Sequence, residues 1–156
     1  NTETGKCLDT GLVGVRGEAP VILRPCDQLR PTQRWKLIDF GILLNVELGK
    51  CVEQRFDPNS MTTVTDKFVY KQDLQVLVVQ CPANKEMLWK QLPTGQIRNE
   101  ATGKCLDAPQ PGQAYPDGSA LPPYMLTEWE CDDTRATQQW EPIETPMVSI
   151  SQGFSR

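Results

Sequence analysis

The sequence predicts an all-β domain in which three similar units close into one body around a pseudo-threefold axis. Three observations predict this fold class: a motif that recurs three times, six cysteines in a regular order, and short segments rich in β-branched residues between turn formers. The chain has 156 residues, the usual length of one domain. Because closing a sheet removes exposed strand edges, a closed all-β body is the expected architecture.

The recurring motif is Gly-Lys-Cys followed by an apolar and then an acidic residue. It reads TGKCLD at residues 4–9 and again at 102–107, and LGKCVE at residues 48–53. Each copy is followed by a second cysteine and a tryptophan, in the order Cys7, Cys26, Trp35; then Cys51, Cys81, Trp89; then Cys105, Cys131, Trp140. This register predicts three units at about 1–44, 45–97 and 98–143, followed by a C-terminal tail or linker at 144–156.

The cysteines indicate disulfides rather than a metal site. The chain has six cysteines and no histidine, and it contains no Cys-x-x-Cys pair. Six cysteines allow fifteen connectivities. The simplest pairing joins the two cysteines of each unit: Cys7–Cys26, Cys51–Cys81 and Cys105–Cys131. Loops of this length would each contribute roughly 3 kcal/mol. Three disulfides indicate an oxidising compartment, either secreted, at the cell surface or in the secretory-pathway lumen. No metal or cofactor is expected.

The secondary structure is predicted to consist of short strands. Segments rich in branched or aromatic residues lie at 20–24, 35–38, 41–45, 74–79 and 125–129. Thirteen prolines argue against long helices. The three tryptophans that end the units, Trp35, Trp89 and Trp140, are predicted to form the core. Gln33 and Gln138, each two residues before a tryptophan, are expected to satisfy backbone groups beside it.

Several classes of function are excluded or disfavoured. The net charge of −4 comes with scattered Lys and Arg, which argues against nucleic acid. No apolar stretch approaches the roughly 20 residues that span a bilayer. Without histidine, Ser-His and Cys-His catalysis is excluded. Asp9 and Asp107 lie in different units and are expected to be too far apart for glycoside hydrolysis. A start at Asn1 without Met or an apolar signal predicts a processed chain or an excised domain.

The motifs together resemble those of the ricin-type β-trefoil lectins, the Gln-x-Trp repeat family. The resemblance covers residues 3–143 and rests on the three Gly-Lys-Cys turns, the paired cysteines and two Gln-x-Trp sequences at 33–35 and 138–140. It implies a β-trefoil with one disulfide per unit and a non-catalytic, carbohydrate-binding function with Gal/GalNAc-type preference. In this family the aspartate accepts hydrogen bonds from two vicinal sugar hydroxyls, and an aromatic ring stacks on the sugar. A polar residue beside Gln-x-Trp, usually asparagine, completes the pocket.

The third unit matches this pattern best. The resemblance places Asp107 at the acid position and Trp129, two residues before Cys131, at the stacking position. Thr137 stands where asparagine is usual, beside Gln138, and the resemblance makes both candidate sugar-binding residues. Threonine is shorter than asparagine and lacks its amide, which affects affinity and sugar preference. The alternatives are a turn cap for Asp107 and a fourth core tryptophan for Trp129.

The first unit matches less well, and the second hardly at all. Asp9 and Gln33 are present in the first unit, but Arg24 stands at the stacking position, so these three residues form a weaker candidate sugar site. A guanidinium suits an acidic sugar or sulfate better than a neutral one, and an Asp9–Arg24 salt bridge that fills the pocket is the alternative. The second unit has Glu53, Val79 and MLW at residues 87–89, so it is predicted to be a packing unit without a sugar site.

Two segments fall outside the pattern. The Pro-, Gly- and Tyr-containing segment at 108–123 is expected to overhang the third site, either shaping specificity or forming a surface excursion. The insertion at 56–73 is polar and Thr-rich. The expected partners are glycans or glycoproteins and other domains of a parent protein. The competing hypothesis is a degenerate β-trefoil that serves as a protein-interaction or non-catalytic module of a larger secreted or surface protein.

Overall fold

The computed structural model describes residues 1–14, 17–38, 41–55, 75–81, 87–109, 114, 124 and 126–143. In these residues the chain forms the strands β1 (Lys6–Thr10), β2 (Ala19–Pro25), β3 (Trp35–Ile38), β4 (Ile42–Asn45), β5 (Lys50–Arg55), β6 (Gln75–Val79), β7 (Trp89–Gln91), β8 (Ile97–Asn99), β9 (Lys104–Asp107) and β10 (Thr127–Glu130). Short 3₁₀ turns span Pro31–Gln33 and Ala136–Gln138. The predictions for 56–73, for most of 108–123 and for 144–156 lie outside the described residues.

The strands form two antiparallel sheets, and the fold is the all-β architecture that the sequence predicts. One sheet has the order β1-β2-β6-β5-β4-β3 and the other the order β10-β9-β8-β7. An isolated bridge between Ile42 and Leu88 connects the two sheets. The predicted strands match β2, β3, β4 and β6 to within a residue at either end, whereas the segment predicted at 125–129 begins as a strand only at Thr127.

Three hairpins show the same register, which makes the units structurally equivalent. In β1–β2, Cys7 pairs with Arg24; in β5–β6, Cys51 pairs with Val79; in β9–β10, Cys105 pairs with Trp129. The predicted disulfides are confirmed: Cys7–Cys26, Cys51–Cys81 and Cys105–Cys131. Each disulfide therefore closes the base of one hairpin.

The repeated Gly-Lys-Cys motif is a tight turn before the first strand of each hairpin. Gly5, Gly49 and Gly103 have φ values of 65°, 60° and 72°. Residues that carry a side chain rarely adopt this left-handed backbone conformation, which explains why glycine stands at the same place in all three copies. The glycine is therefore structural, and it delivers the following cysteine to its disulfide.

The tryptophans that end the units anchor the core in a repeated way. The indole Nε1 donates to the carbonyl of the residue that follows the first cysteine of its unit: Trp35 to Leu8 at 2.9 Å, Trp89 to Val52 at 3.0 Å and Trp140 to Leu106 at 3.1 Å. Trp89 and Trp140 are buried, as predicted. Trp35 is only half-buried and packs against the edge of the core.

One position in the hairpins breaks the repetition of apolar core residues. The residue paired with Leu8 is Leu23 and the residue paired with Val52 is Val78, but the residue paired with Leu106 is Glu128. Glu128 is 0% exposed. Its carboxylate accepts a hydrogen bond of 3.4 Å from the Thr102 hydroxyl.

Burial has a strong effect on the ionisation of Glu128. Desolvation raises the pKa of this carboxyl from 4.5 to about 8, whereas Thr102, Lys104 and the buried Gln54 side chain act in the opposite direction. Glu128 therefore holds its proton over much of the neutral range in the folded domain.

Candidate functional site

The four predicted site residues of the third unit lie on three neighbouring elements. Asp107 ends β9, Trp129 lies on β10, and Thr137 and Gln138 lie in the second 3₁₀ turn. The turn is tied to the end of β9 by a hydrogen bond from the Ala108 amide to the Thr137 carbonyl at 3.1 Å. The structure thus brings together the carboxylate, the ring and the polar turn that the sequence predicts to converge.

Gln138 holds this arrangement together from inside. Its side chain is fully buried. Its Oε1 accepts from the Asp132 amide at 2.9 Å and from Gln96 Nε2 at 3.1 Å, and its Nε2 donates to the Glu130 carbonyl at 2.9 Å. These contacts confirm the prediction that this glutamine satisfies backbone groups. Gln138 therefore fixes the end of β10 relative to the turn.

A cation that sequence reasoning missed sits at the centre of the site. Arg135 Nε lies 2.6 Å from Asp107 Oδ2. The Arg135 Cζ lies 4.7 Å from the centroid of the Trp129 ring, within the range of a cation–π contact. The side chains of Arg135 and Asp107 are 11% and 1% exposed. One guanidinium therefore covers both the carboxylate and the face of the aromatic ring.

The electrostatics of Asp107 are set mainly by burial. Desolvation raises the pKa of Asp107 above its ordinary value, and the Thr137 hydroxyl, the Arg135 guanidinium and the Gln138 amide act in the opposite direction. The charged form of this carboxylate thus depends on hydrogen-bond donors and a cation at its side. A sugar hydroxyl is a donor of the required kind.

A shallow cavity adjoins the ring. It has a volume of about 540 Å³ and is lined by Thr94, Gln96, Trp129, Glu130, Cys131, Asp132 and Asp133. Hydroxyl, amide and carboxylate groups beside a partly exposed indole offer hydrogen bonds and an apolar surface together. The third unit therefore has open space next to Trp129, while Asp107 lies deeper.

The first unit contains the same acid in a closed cluster. Asp9 is fully buried; its Oδ1 accepts from Thr32 Oγ1 at 2.6 Å, and its Oδ2 accepts from Gln33 Nε2 at 3.2 Å. Arg30 Nε lies 2.9 Å from Oδ2 and Arg24 Nε lies 3.8 Å from it. The salt bridge between Asp9 and Arg24 is confirmed, but Arg30 is the closer partner.

The arginines that reach the two aspartates were detectable in the sequence. Arg30 and Arg135 each lie four residues after the second cysteine of their unit and two before a threonine. They also occupy the same structural position, directly before the 3₁₀ turns. Repetition at this place was the available signal.

The second unit shows apolar packing at the corresponding place. Val79, Met87 and Leu77 form a buried cluster with Cys51. Glu53, at the acid position, pairs with Leu77 across the hairpin. The described residues of this unit therefore present no exposed ring next to a carboxylate.

The described parts of the chain offer neither a metal site nor a membrane-spanning helix. No group of three or more Cys, His, Asp or Glu side chains is arranged to hold a metal ion there. None of the helical segments there combines the length and the apolar character that a bilayer span requires.

The strands, the repeated hairpins and the disulfides define a disulfide-linked β-trefoil. Residues 1–140 match the family model of the ricin-type β-trefoil lectin domain. The chain belongs to this family, whose domains are non-catalytic carbohydrate-binding modules. No curated protein matches the chain in sequence.

Solved structures share the fold at low sequence identity. A structure of GalNAc-T7 with UDP, GalNAc and Mn²⁺ is 20% identical with a TM-score of 0.61, covering 89% of this chain and 20% of that one. The hemolytic lectin CEL-III is 18% identical with a TM-score of 0.60, covering 92% and 29%. A non-toxic homologue of type II RIPs from bitter gourd (Momordica charantia), in complex with α-methyl-D-galactoside, is 16% identical with a TM-score of 0.54, covering 87% and 47%. The chain thus spans less than half the length of each of these three proteins.

Proposed function

We propose that this domain binds glycans of the Gal/GalNAc type through its third unit and makes no covalent change to them. The observation that carries the proposal is the convergence of Asp107, Trp129 and Thr137, which has no counterpart with an aromatic ring in the described residues of the other units. Two of the similar structures contain GalNAc or a galactoside, which supports this choice of sugar.

The chemistry of each group suits a neutral sugar. The Asp107 carboxylate has only acceptor sites and takes hydrogen bonds from vicinal hydroxyls. The Trp129 ring offers a flat apolar surface to the C–H face of the sugar. The Thr137 hydroxyl, which donates to Asp107, adds an acceptor. Gln138 acts by positioning, because its own hydrogen bonds are used within the protein.

A single shallow site of this kind binds weakly, with a dissociation constant of about 1 mM. Useful affinity then requires several sites or attachment to a larger protein, because linked sites raise the effective concentration of the ligand. Glycoproteins in a secreted, cell-surface or lumenal setting are the proposed partners, and the three disulfides fit such an oxidising setting.

The test is a titration of the disulfide-intact domain with N-acetylgalactosamine and galactose, followed by amide NMR and tryptophan fluorescence. We expect saturable shifts at Asp107, Trp129 and Thr137, and we expect Trp129→Ala to abolish them. Arg24→Ala is the matched control, because Arg24 occupies the same hairpin position in the first unit. It should leave binding unchanged. If tens of millimolar of either sugar shifts no resonance of a folded sample, the Gal/GalNAc proposal is wrong.

A protein-interaction module is the second candidate, and one observation favours it. A groove of about 530 Å³ is lined by residues of all three units, among them Leu37, Val46 and Ile143, which are all exposed. Exposed apolar surface around a groove is typical of a docking site. This candidate predicts that sugars do not raise the melting temperature of the domain, and that Leu37→Ser weakens binding of a partner protein while Trp129→Ala does not.

A further inference from the structure

The guanidinium of Arg135 occupies the place that the proposed function assigns to the sugar. It lies 2.6 Å from the Asp107 carboxylate and 4.7 Å from the centre of the Trp129 ring. We propose that Arg135 is a gate: its side chain closes the third site in the free domain, and a neutral sugar binds only when this side chain swings away. This inference rests on the proposed function and adds a specificity-determining residue to it.

Arg135 is suited to this role because it satisfies the same groups as a sugar. A guanidinium presents several N–H donors in a fixed plane, as two vicinal hydroxyls present O–H donors to a carboxylate. Its flat face lies against an aromatic ring, as the apolar face of a sugar does. Ligand and side chain therefore compete for one carboxylate and one ring surface, so they cannot occupy the site together.

Carboxylates near Trp129 can receive the Arg135 side chain when it leaves Asp107. Glu130, Asp132 and Asp133 line the cavity next to Trp129. The pKa of Asp132 is lowered mainly by its hydrogen bonds with Thr134, and the charge of Arg135 lowers it further. An arginine side chain that leaves Asp107 thus remains near carboxylates instead of entering a neutral surface.

The backbone allows the side chain to move without disturbing the fold. Arg135 caps the second 3₁₀ turn in an extended conformation, with φ −86° and ψ 103°. Its amide donates to the Asp132 carbonyl at 3.1 Å, and its carbonyl accepts from the Gln138 amide at 3.0 Å. These main-chain bonds hold the turn in place while the side-chain torsions change.

The same device occurs twice in the chain, which argues against an accident of packing. Arg30 caps the first 3₁₀ turn and lies 2.9 Å from Asp9. In that unit Arg24 adds a second cation where the third unit has Trp129. The first site is thus closed by two arginines, and the third by one.

A gate of this kind lowers the apparent affinity by the fraction of molecules in which the site is open. If the open state amounts to about 10% or less of the population, its removal should strengthen sugar binding about tenfold or more. The experiment compares N-acetylgalactosamine binding by amide NMR for the wild-type domain, Arg135→Ala and Arg135→Gln. Arg98→Ala, which breaks the exposed ion pair with Glu100, is the control and should bind like the wild type.

The expected result is an apparent dissociation constant at least about tenfold lower for Arg135→Ala, with the gain lost again in Arg135→Ala/Asp107→Asn.

The Nε–H resonance of Arg135 in the wild-type domain gives an independent readout. It should be shifted by the Trp129 ring current in the free domain and move towards its solvent-exposed position when sugar saturates the site. If Arg135→Ala does not fold, Arg135→Gln decides, because it keeps a hydrogen-bond donor for Asp107 but has no charge.

The outcomes separate the gate from the proposed function. If the wild-type domain binds sugar and loses it with Trp129→Ala, while folded Arg135 variants bind no better than the wild type, the gate is wrong and the lectin proposal stands. If the wild type and all folded Arg135 variants leave the spectrum unchanged at tens of millimolar sugar, both proposals are wrong.

Discussion

The first and third units carry the same acid, the same turn and the same arginine, yet they form different sites. Among the described residues, Asp9 faces two cations, Arg24 and Arg30, whereas Asp107 faces one, Arg135. The difference comes from one hairpin position, where the first unit has Arg24 and the third has Trp129. The residue at this one position thus distinguishes the closed ionic cluster of the first unit from the pocket with an aromatic surface in the third unit.

The two units also differ in the polarity of one buried position in the hairpin. At the core position directly before Arg24 or Trp129 in the chain, the first unit has Leu23 and the third has Glu128, and both are buried. A buried leucine contributes hydrophobic burial, while a buried carboxyl either holds its proton or loses solvation. The third unit is therefore the less apolar of the two beneath its candidate site.

The largest expected effect is a pH dependence of stability caused by Glu128. Its pKa is about 8 in the folded domain and 4.5 in its ordinary state, so the folded state binds this proton more tightly than the unfolded state. The stabilisation is fully present below pH 4.5 and is lost as the pH rises towards 8. The free energy of unfolding should fall by up to about 1.4 kcal/mol per pH unit in this window.

Glu128→Gln should remove this slope, because the amide does not titrate. At pH 8 the variant should be more stable than the wild type by on the order of 2–4 kcal/mol. Urea unfolding with intact disulfides at pH 5, 6.5 and 8 measures the effect. Glu100→Gln, an exposed glutamate paired with Arg98, should keep the wild-type slope. A wild-type domain with equal stability at pH 5 and 8 would contradict the account of Glu128.

The next effect is the conversion of the first unit into a second site. Arg24→Trp supplies an aromatic ring for the sugar to stack on, and Arg30→Ala uncovers Asp9. The double variant should therefore bind N-acetylgalactosamine at two sites instead of one. The new site should have a dissociation constant of roughly 1–10 mM. New NMR shifts at Asp9 and Thr32 measure it. Arg24→Trp alone should bind about tenfold more weakly than the double variant, because Arg30 still covers Asp9 as Arg135 covers Asp107. Equal affinity of the single and double variants for this site would show that Arg30 does not close it.

The smallest effect concerns the turn residue. Thr137→Asn restores the amide that is usual in the family and can give two hydrogen bonds to a sugar where threonine gives one. One added hydrogen bond contributes about 1 kcal/mol, so affinity should rise about fivefold. Thr32→Asn in the first unit is the matched control and should have no effect on binding. A gain from Thr32→Asn without one from Thr137→Asn would mean that the first unit, and not the third, is the site.

Much of the fold could be predicted because its signals are local. Gly5, Gly49 and Gly103 mark the turns, and the cysteines behind them mark the bases of the hairpins. The half-buried state of Trp35 could not be predicted, because exposure depends on what the neighbouring units leave uncovered. The burial of Glu128 could not be predicted for a similar reason. Polar residues alternate with apolar ones in this strand, but other parts of the closed body cover the face on which Glu128 lies.

The sequence by itself determined the three-unit architecture, the disulfide pairing and the position of Asp107 and Trp129 at equivalent places in a hairpin. These features follow from spacing, because turns, disulfides and strand register act between residues at fixed separations. Only the tertiary structure decided which cation reaches Asp107. Arg135 comes from a turn in another part of the unit, and its position over the ring and beside the carboxylate depends on how that turn packs against β9 and β10.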